Sequence, residues 1–138
     1  MTYEELIAEA KKARLHAYTP YSHFQVGAAL LTSGGKLYHG CNIENAAYGP
    51  TNCAERTAFF KAVYEGERSF SKIAIVGGPE GQEADEMCAP CGVCRQVMRE
   101  FCSPEEFEIV LADGAGGYKV FKLEELLPCS FGPENLGK

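Results

Sequence analysis

Leu6, Ile7, Ala10, Ala13 and Ala17 recur at helical spacing behind Thr2 and Glu5, a capping box, and Pro20 forbids continuation. The first predicted element is a helix over about residues 3 to 17. FQVGAALLT and KLYHGCNIE flank Ser33, Gly34 and Gly35, and predict a β-hairpin whose second strand runs out at Asn42 and Glu44. Past the loop AAYGPTN, AERTAFFKAVYEG reads as a helix stopped by Gly66, with Cys53 at its entrance. KIAIVGG is a short β-branched strand, CGVCRQVMREF a helix behind Pro90, and FEIVLAD another strand; that order predicts a right-handed parallel crossover. YKVFKL adds a strand and LEELL a last short helix, while Gly114 to Gly117 precede a strand and read as a turn, not a phosphate loop. The fold class expected is α/β in three layers: a mixed β-sheet, antiparallel at the hairpin and parallel beyond it, with helices on both faces.

Length adds that residues 1–138 make one domain, with no repeat, linker or low-complexity stretch. Apolar residues at 46% and charged residues at 23% are globular proportions, and no apolar run nears the roughly 18 residues of a membrane span. The N-terminus is acidic and amphipathic, unlike a secretory signal, so the expected location is cytoplasmic. A net charge of -6 with scattered Lys and Arg offers no basic stripe for a nucleic acid, which leaves a small uncharged ligand as the expected partner.

Seven cysteines in such a chain change the picture, because cytoplasmic thiols bind metals, react or fill cores more often than they form a disulfide framework. Cys91 and Cys94 lie three apart at one helix start and Cys53 begins another helix; helix N-termini favour thiolates, and three thiolates suit zinc with a fourth position open to water. Glu55 is then placed to shuttle protons for a zinc-activated water. Arg56 would draw off the single negative charge that three thiolates leave on a divalent ion. Alone, Glu55 is an ordinary first-turn acid, Arg56 an exposed ion-pair partner, and C-x-x-C a structural or redox motif. The conjunction of CAE at one helix entrance and PCGVC at another, 35 residues past Glu55, is what points to catalysis. Cys88 also precedes Cys91 with a two-residue gap between them and could close the site as a fourth ligand, but Pro90 holds Ala89 extended and argues against it. Cys41, Cys102 and Cys129 are expected to be buried fillers, and His16, His23 and His39 lack metal spacing.

FQVGAAL, GCNIENAAYG, CAERTA, PCGVCRQ and LLPCSFGPENL resemble the small, homotetrameric, zinc-dependent cytidine deaminases of the cytidine and deoxycytidylate deaminase superfamily, and the likeness covers nearly the whole chain. The resemblance implies one zinc ion per subunit on Cys53, Cys91 and Cys94, proton transfer by Glu55, and the ribose hydroxyls on Asn42 and Glu44. It also implies Phe24 on the pyrimidine ring, Tyr48 and the Ala54 backbone near the ligand, and Phe131 reaching a neighbouring subunit's site. The reaction implied is hydrolysis of cytidine and 2′-deoxycytidine to uridine and 2′-deoxyuridine with ammonia, in pyrimidine salvage. Asn52, where an apolar residue is usual, and Ala89, where serine is common, depart from the pattern without touching a ligand. On physics alone the aromatic tail could dock on a neighbour or on its own subunit. A related cytosine nucleoside such as an antibiotic, a non-catalytic zinc module and dithiol redox chemistry at Cys91 and Cys94 remain the rival readings.

Overall fold

Both faces of the central strands are apolar, so both must be covered. The structure is a computed structural model describing residues 1–114 and 116–138. Strands β1 (Phe24–Thr32), β2 (Leu37–Cys41), β3 (Phe70–Pro79), β4 (Glu108–Ala112) and β5 (Tyr118–Lys122) form one sheet in the order β2-β1-β3-β4-β5. The helices are α1 (Tyr3–Arg14), α2 (Ala54–Tyr64), α3 (Gly92–Phe101) and the short α4 (Leu123–Leu126), followed by a single 3-10 turn, Pro133–Leu136.

Ala28, Leu30, Ile73, Ile75, Ile109 and Leu111 point to the side covered by α2, α3 and α4, where Phe59, Met98, Phe107 and Leu123 complete the larger core. Their neighbours Ala29, Leu31, Ala74, Val76, Val110 and Ala112 point the other way, onto Leu6 and Ala10 of α1. This is the three-layer arrangement expected from the sequence. Small residues on the α1 side bring that helix close: a Cβ on Gly27 would run into the Ala10 and Arg14 backbone. Gly40 does the same for α2, whose Ala54 carbonyl and Ala58 amide lie directly over β2. The first turn of α2 is thereby seated on the end of the hairpin.

Parallel pairing within the sheet is confined to β3 with β4, the pair joined through α3. β1 with β2, β1 with β3 and β4 with β5 are antiparallel, the last because its link is too short for a crossover. The capping box forms as expected, Glu5 N donating to Thr2 Oγ1 at 3.1 Å and Thr2 N to Glu5 Oε2 at 2.9 Å. The helix behind it ends at Arg14, not near 17, because Leu15, His16 and Ala17 tighten into turns bonded three residues back. The chain then bridges Tyr18 to Ile43, beside the hairpin's end. Of the predicted Gly114 to Gly117 turn, Ala115 lies outside the described residues; Gly114 and Gly116 have φ of 87° and 77°, as a glycine turn requires. Cys102 is buried as expected and Cys41 is half-buried, but Cys129 is exposed, on a left-handed turn with φ of 54° that carries it to the surface.

Candidate metal and active site

Cys53 and Cys91 occupy equivalent positions: each is the N-cap of its helix, extended, with no hydrogen bond from its side chain to the helix backbone. Their sulfurs are therefore free to face each other across the gap between α2 and α3. Cys53 Sγ lies 3.8 Å from Cys91 Sγ, and Cys91 Sγ lies 3.4 Å from Cys94 Sγ. All three fall within 4.8 Å of one another, the one such group of potential ligands among the described residues. A tetrahedral zinc ion with Zn–S bonds of about 2.3 Å sets its sulfurs roughly 3.8 Å apart, so this donor set fits the metal in both spacing and softness.

The electrostatics follow from that crowding. Hydrogen bonding to the Cys94 sulfur first, then the Arg56 guanidinium at 3.2 Å, hold the Cys53 thiol down to about 5 against the opposing effect of burial. Cys94 is raised correspondingly, by its bond to Cys53 and by burial. The Cys53 thiolate likewise holds Arg56 above its ordinary value. Arg56 thus sits where an excess of thiolate charge needs a cation, although its buried Nε has no partner. Glu55, one residue along, is 4% exposed, and burial pushes its carboxyl up to about 7, the range in which a carboxyl can both take and give a proton.

Cys88 stands outside the sulfur group: its Sγ packs against Gly77 of β3 beside the Phe24 ring, and burial pushes its thiol up to about 11. A fourth cysteine does not close the site. Phe24 begins β1 with its ring partly exposed, and Ala54 is the buried first residue of α2.

Asn42 and Glu44 are more occupied than a solvated strand end implies. Asn42 Nδ2 donates to the Phe24 carbonyl and its Oδ1 accepts from Val26 N, both at 2.9 Å. Glu44 Oε1 accepts from the amides of Tyr21 and Ser22, both at 3.1 Å, and its Oε2 accepts from the Ser22 hydroxyl, which lowers its pKa. These bonds leave Asn42 a second donor and lone pair, and Glu44 a lone-pair site on Oε2. A groove of about 390 Å³ runs past Tyr21, Ser22, Glu44, Asn45, Tyr48 and Thr51, with Tyr48 85% exposed on its rim. A larger cavity, about 500 Å³, lies over β2 between α1 and α2; Cys41 lines it, but none of Cys53, Cys91 and Cys94 does. His16 and His39 line it, and His39 Nε2 is 2.8 Å from Glu9 Oε1.

Of the two courses left open by its sequence, the structure shows the tail docked on its own chain. Gln96 donates to the Phe131 carbonyl at 2.8 Å, and Arg99, 8% exposed, donates to Ser130 Oγ at 2.8 Å and pairs with Glu134. Gly132 rests against that guanidinium. The Phe131 ring nevertheless remains 58% exposed. Arg99 and Arg95 carry no sequence signal that separates them from surface charges. Arg95 Nε holds the Pro90 carbonyl and its Nη1 the Leu126 carbonyl, both at 2.7 Å, fixing the loop that enters α3.

A three-layer α/β sheet with thiolates at two helix entrances and a buried acid beside them defines a zinc-binding protein equipped for hydrolytic chemistry. Residues 1–109 match the family described as the cytidine and deoxycytidylate deaminase zinc-binding region, and the chain belongs to that family. It is 53% identical over 136 residues to a cytidine deaminase of Sporosarcina psychrophila, covering 99% of this chain and 96% of that protein. It is 48% identical to one from Halalkalibacterium halodurans, covering 99% and 98%. Among solved structures, the cytidine deaminase of Burkholderia pseudomallei superimposes with a TM-score of 0.85 at 51% identity, over 95% of this chain and 100% of that one. The Mycobacterium tuberculosis enzyme gives 0.80 at 36% identity, over 96% and 98%.

Proposed function

We infer that this protein is a zinc-dependent cytidine deaminase: it hydrolyses cytidine and 2′-deoxycytidine to uridine and 2′-deoxyuridine, releasing ammonia. The observation that carries this reading is three sulfurs at zinc spacing across two helix entrances, with the buried acid Glu55 two residues after Cys53 in the same turn. Cys53, Cys91 and Cys94 hold one zinc ion per subunit, whose Lewis acidity makes water a nucleophile near neutral pH. Glu55 accepts one proton of the attacking water and passes it to the pyrimidine ring nitrogen; it then takes the second from the hydroxyl on the attacked carbon and delivers it to the amino group, which leaves as ammonia. Its burial keeps those transfers out of bulk solvent. Phe24 stacks on the ring, the Ala54 backbone lies against it, and the free hydrogen-bonding capacity of Asn42 and Glu44 takes the sugar hydroxyls.

The same reading makes the protein a single-domain subunit of a cytoplasmic homotetramer serving pyrimidine salvage. Tyr48 and Phe131 support it: both are large and exposed, and the Phe131 backbone is held by Gln96, as a group completing a neighbour's site should be. No helix among the described residues is long and apolar enough to cross a membrane. A non-catalytic zinc module needs a fourth protein ligand, and Cys88, the cysteine nearest in sequence, lies outside the cluster.

The test is the ultraviolet change of cytidine to uridine with purified protein before and after zinc removal, repeated with Glu55→Gln. That variant should keep its zinc and lose turnover by roughly a hundredfold or more. Near-normal turnover would remove Glu55 from the mechanism, and zinc-independent turnover would remove the metal.

A further inference from the structure

An N-cap side chain ordinarily accepts a hydrogen bond from the helix's first amides. Cys53 does not, because its sulfur is turned toward Cys91, Cys94 and Arg56. Something else must fix the residue's orientation, since a cap with a free side chain is held only by its backbone.

The holding groups are Thr57 and Asn52. The Thr57 amide and hydroxyl both donate to the Cys53 carbonyl, at 3.1 and 3.2 Å. Asn52 Nδ2 donates to the Thr57 hydroxyl oxygen at 3.1 Å, which commits the hydroxyl proton to Cys53. The chain of donors runs one way, so each bond polarises the next. Asn52 and Thr57 occupy the positions, before the cap and one turn inside, where an apolar staple commonly fixes a helix's entry angle; here the staple is polar. Asn52 has a second attachment: its amide and carbonyl exchange hydrogen bonds with Ile43 at 2.9 and 3.0 Å. Ile43 lies between Asn42 and Glu44. One residue therefore joins the segment facing the sugar to the residue facing the metal.

We propose that Asn52 and Thr57 are positioning residues that hold Cys53 as a zinc ligand and set its register against the Asn42–Glu44 segment. The proposal rests on the zinc reading above. Arg95 gives the structure's own parallel: it too is one turn inside its helix, and it grips the residue preceding Cys91.

The experiment uses zinc-loaded protein and three variants, Thr57→Val, Thr57→Ser and Asn52→Ala. It measures zinc release to a chromophoric chelator and the visible absorption of the cobalt-substituted form, which reports thiolate geometry. Thr57→Val should release zinc about 10- to 100-fold faster, with an altered cobalt spectrum, while Thr57→Ser stays within about threefold of the parent. Asn52→Ala should move both readouts the same way, and it decides the matter if Thr57→Val does not fold. Parent-like release and spectrum in the valine and alanine variants, or a serine variant as impaired as valine, would overturn the latch and leave the zinc site standing. A Cys53→Ala protein with the parent's cobalt spectrum would overturn both.

Discussion

Gly40→Ala is the smallest change that should damage the site without touching it. The added methyl would lie 2.6 Å from the Ala58 amide nitrogen and 3.0 Å from Ala58 Cβ, and closer still to the Ala54 carbonyl. Two of these neighbours are helix backbone, which cannot swing aside as a flexible side chain would. The first two turns of α2 must therefore lift off β2 by roughly half an ångström at Ala58 and more at Ala54, a displacement of the size that costs a catalytic site up to a hundredfold. Cys53 and Glu55 travel with that turn, whereas Cys91 and Cys94 stay with α3. The sulfur cluster should open on one side. Overpacking of this kind costs about 1–3 kcal/mol of stability. Thermal unfolding should thus fall by several degrees while kcat/KM for cytidine falls about 100-fold and zinc release quickens. Gly27→Ala is the control, because its clash is with the Ala10 and Arg14 backbone of α1, on the face that carries no proposed ligand. It should show comparable destabilisation with kcat/KM reduced less than about fivefold in the folded protein. Gly40→Ala protein with parent-like zinc release and kcat/KM within a factor of two would refute the idea that helix seating on β2 sets the site.

Cys88→Ala should leave one zinc per chain by metal analysis, since its sulfur is directed at Gly77 and not at the cluster; loss of the metal would return Cys88 to the ligand set. Arg99→Ala removes the group that holds Ser130 and Glu134, and should cost about 1 kcal/mol, the net worth of a hydrogen bond whose remaining partners can turn to water. Chymotrypsin should then cut at Phe131 several-fold faster than in the parent, and an unchanged cleavage rate would show that the tail is held elsewhere.

Hydrophobic patterning made the longer elements legible because each runs far enough to show it. The unbroken apolar runs Ala28–Leu31 and Ile73–Val76 announce a sheet covered on both sides, and helical spacing behind Thr2 announces α1. The sulfur cluster was legible for another reason: ligands at helix starts are placed by local geometry, which sequence encodes directly. The tail has neither advantage. Its path depends on Arg99, which in sequence is one more charge on an amphipathic helix and in the structure is nearly buried beneath Gly132. Asn42 and Glu44 show the same limit. Their residue types suit a sugar, but their bonds to Phe24, Val26, Tyr21 and Ser22 appear only once β1 and β2 are side by side.

These two kinds of residue are connected by a shared constraint. A helix entrance stabilises a thiolate through its dipole, but a cysteine turned toward a metal gives up the side-chain cap worth about 1 kcal/mol that Ser or Asp would supply. The protein uses that arrangement twice, at Cys53 and Cys91, so it must restore order at both entrances by other means. At α2 it uses Gly40 beneath, Thr57 within and Asn52 before; at α3 it uses Arg95 reaching back to Pro90 and across to Leu126. None of these residues needs to touch metal or substrate. Their chemistry, a missing methyl, a hydroxyl, an amide and a guanidinium, is dictated by what a capless helix start lacks, which is why a search for ligands and acids passes over them even where, as with Thr57 in CAERTA and Arg95 in PCGVCRQ, they stand beside the ligands.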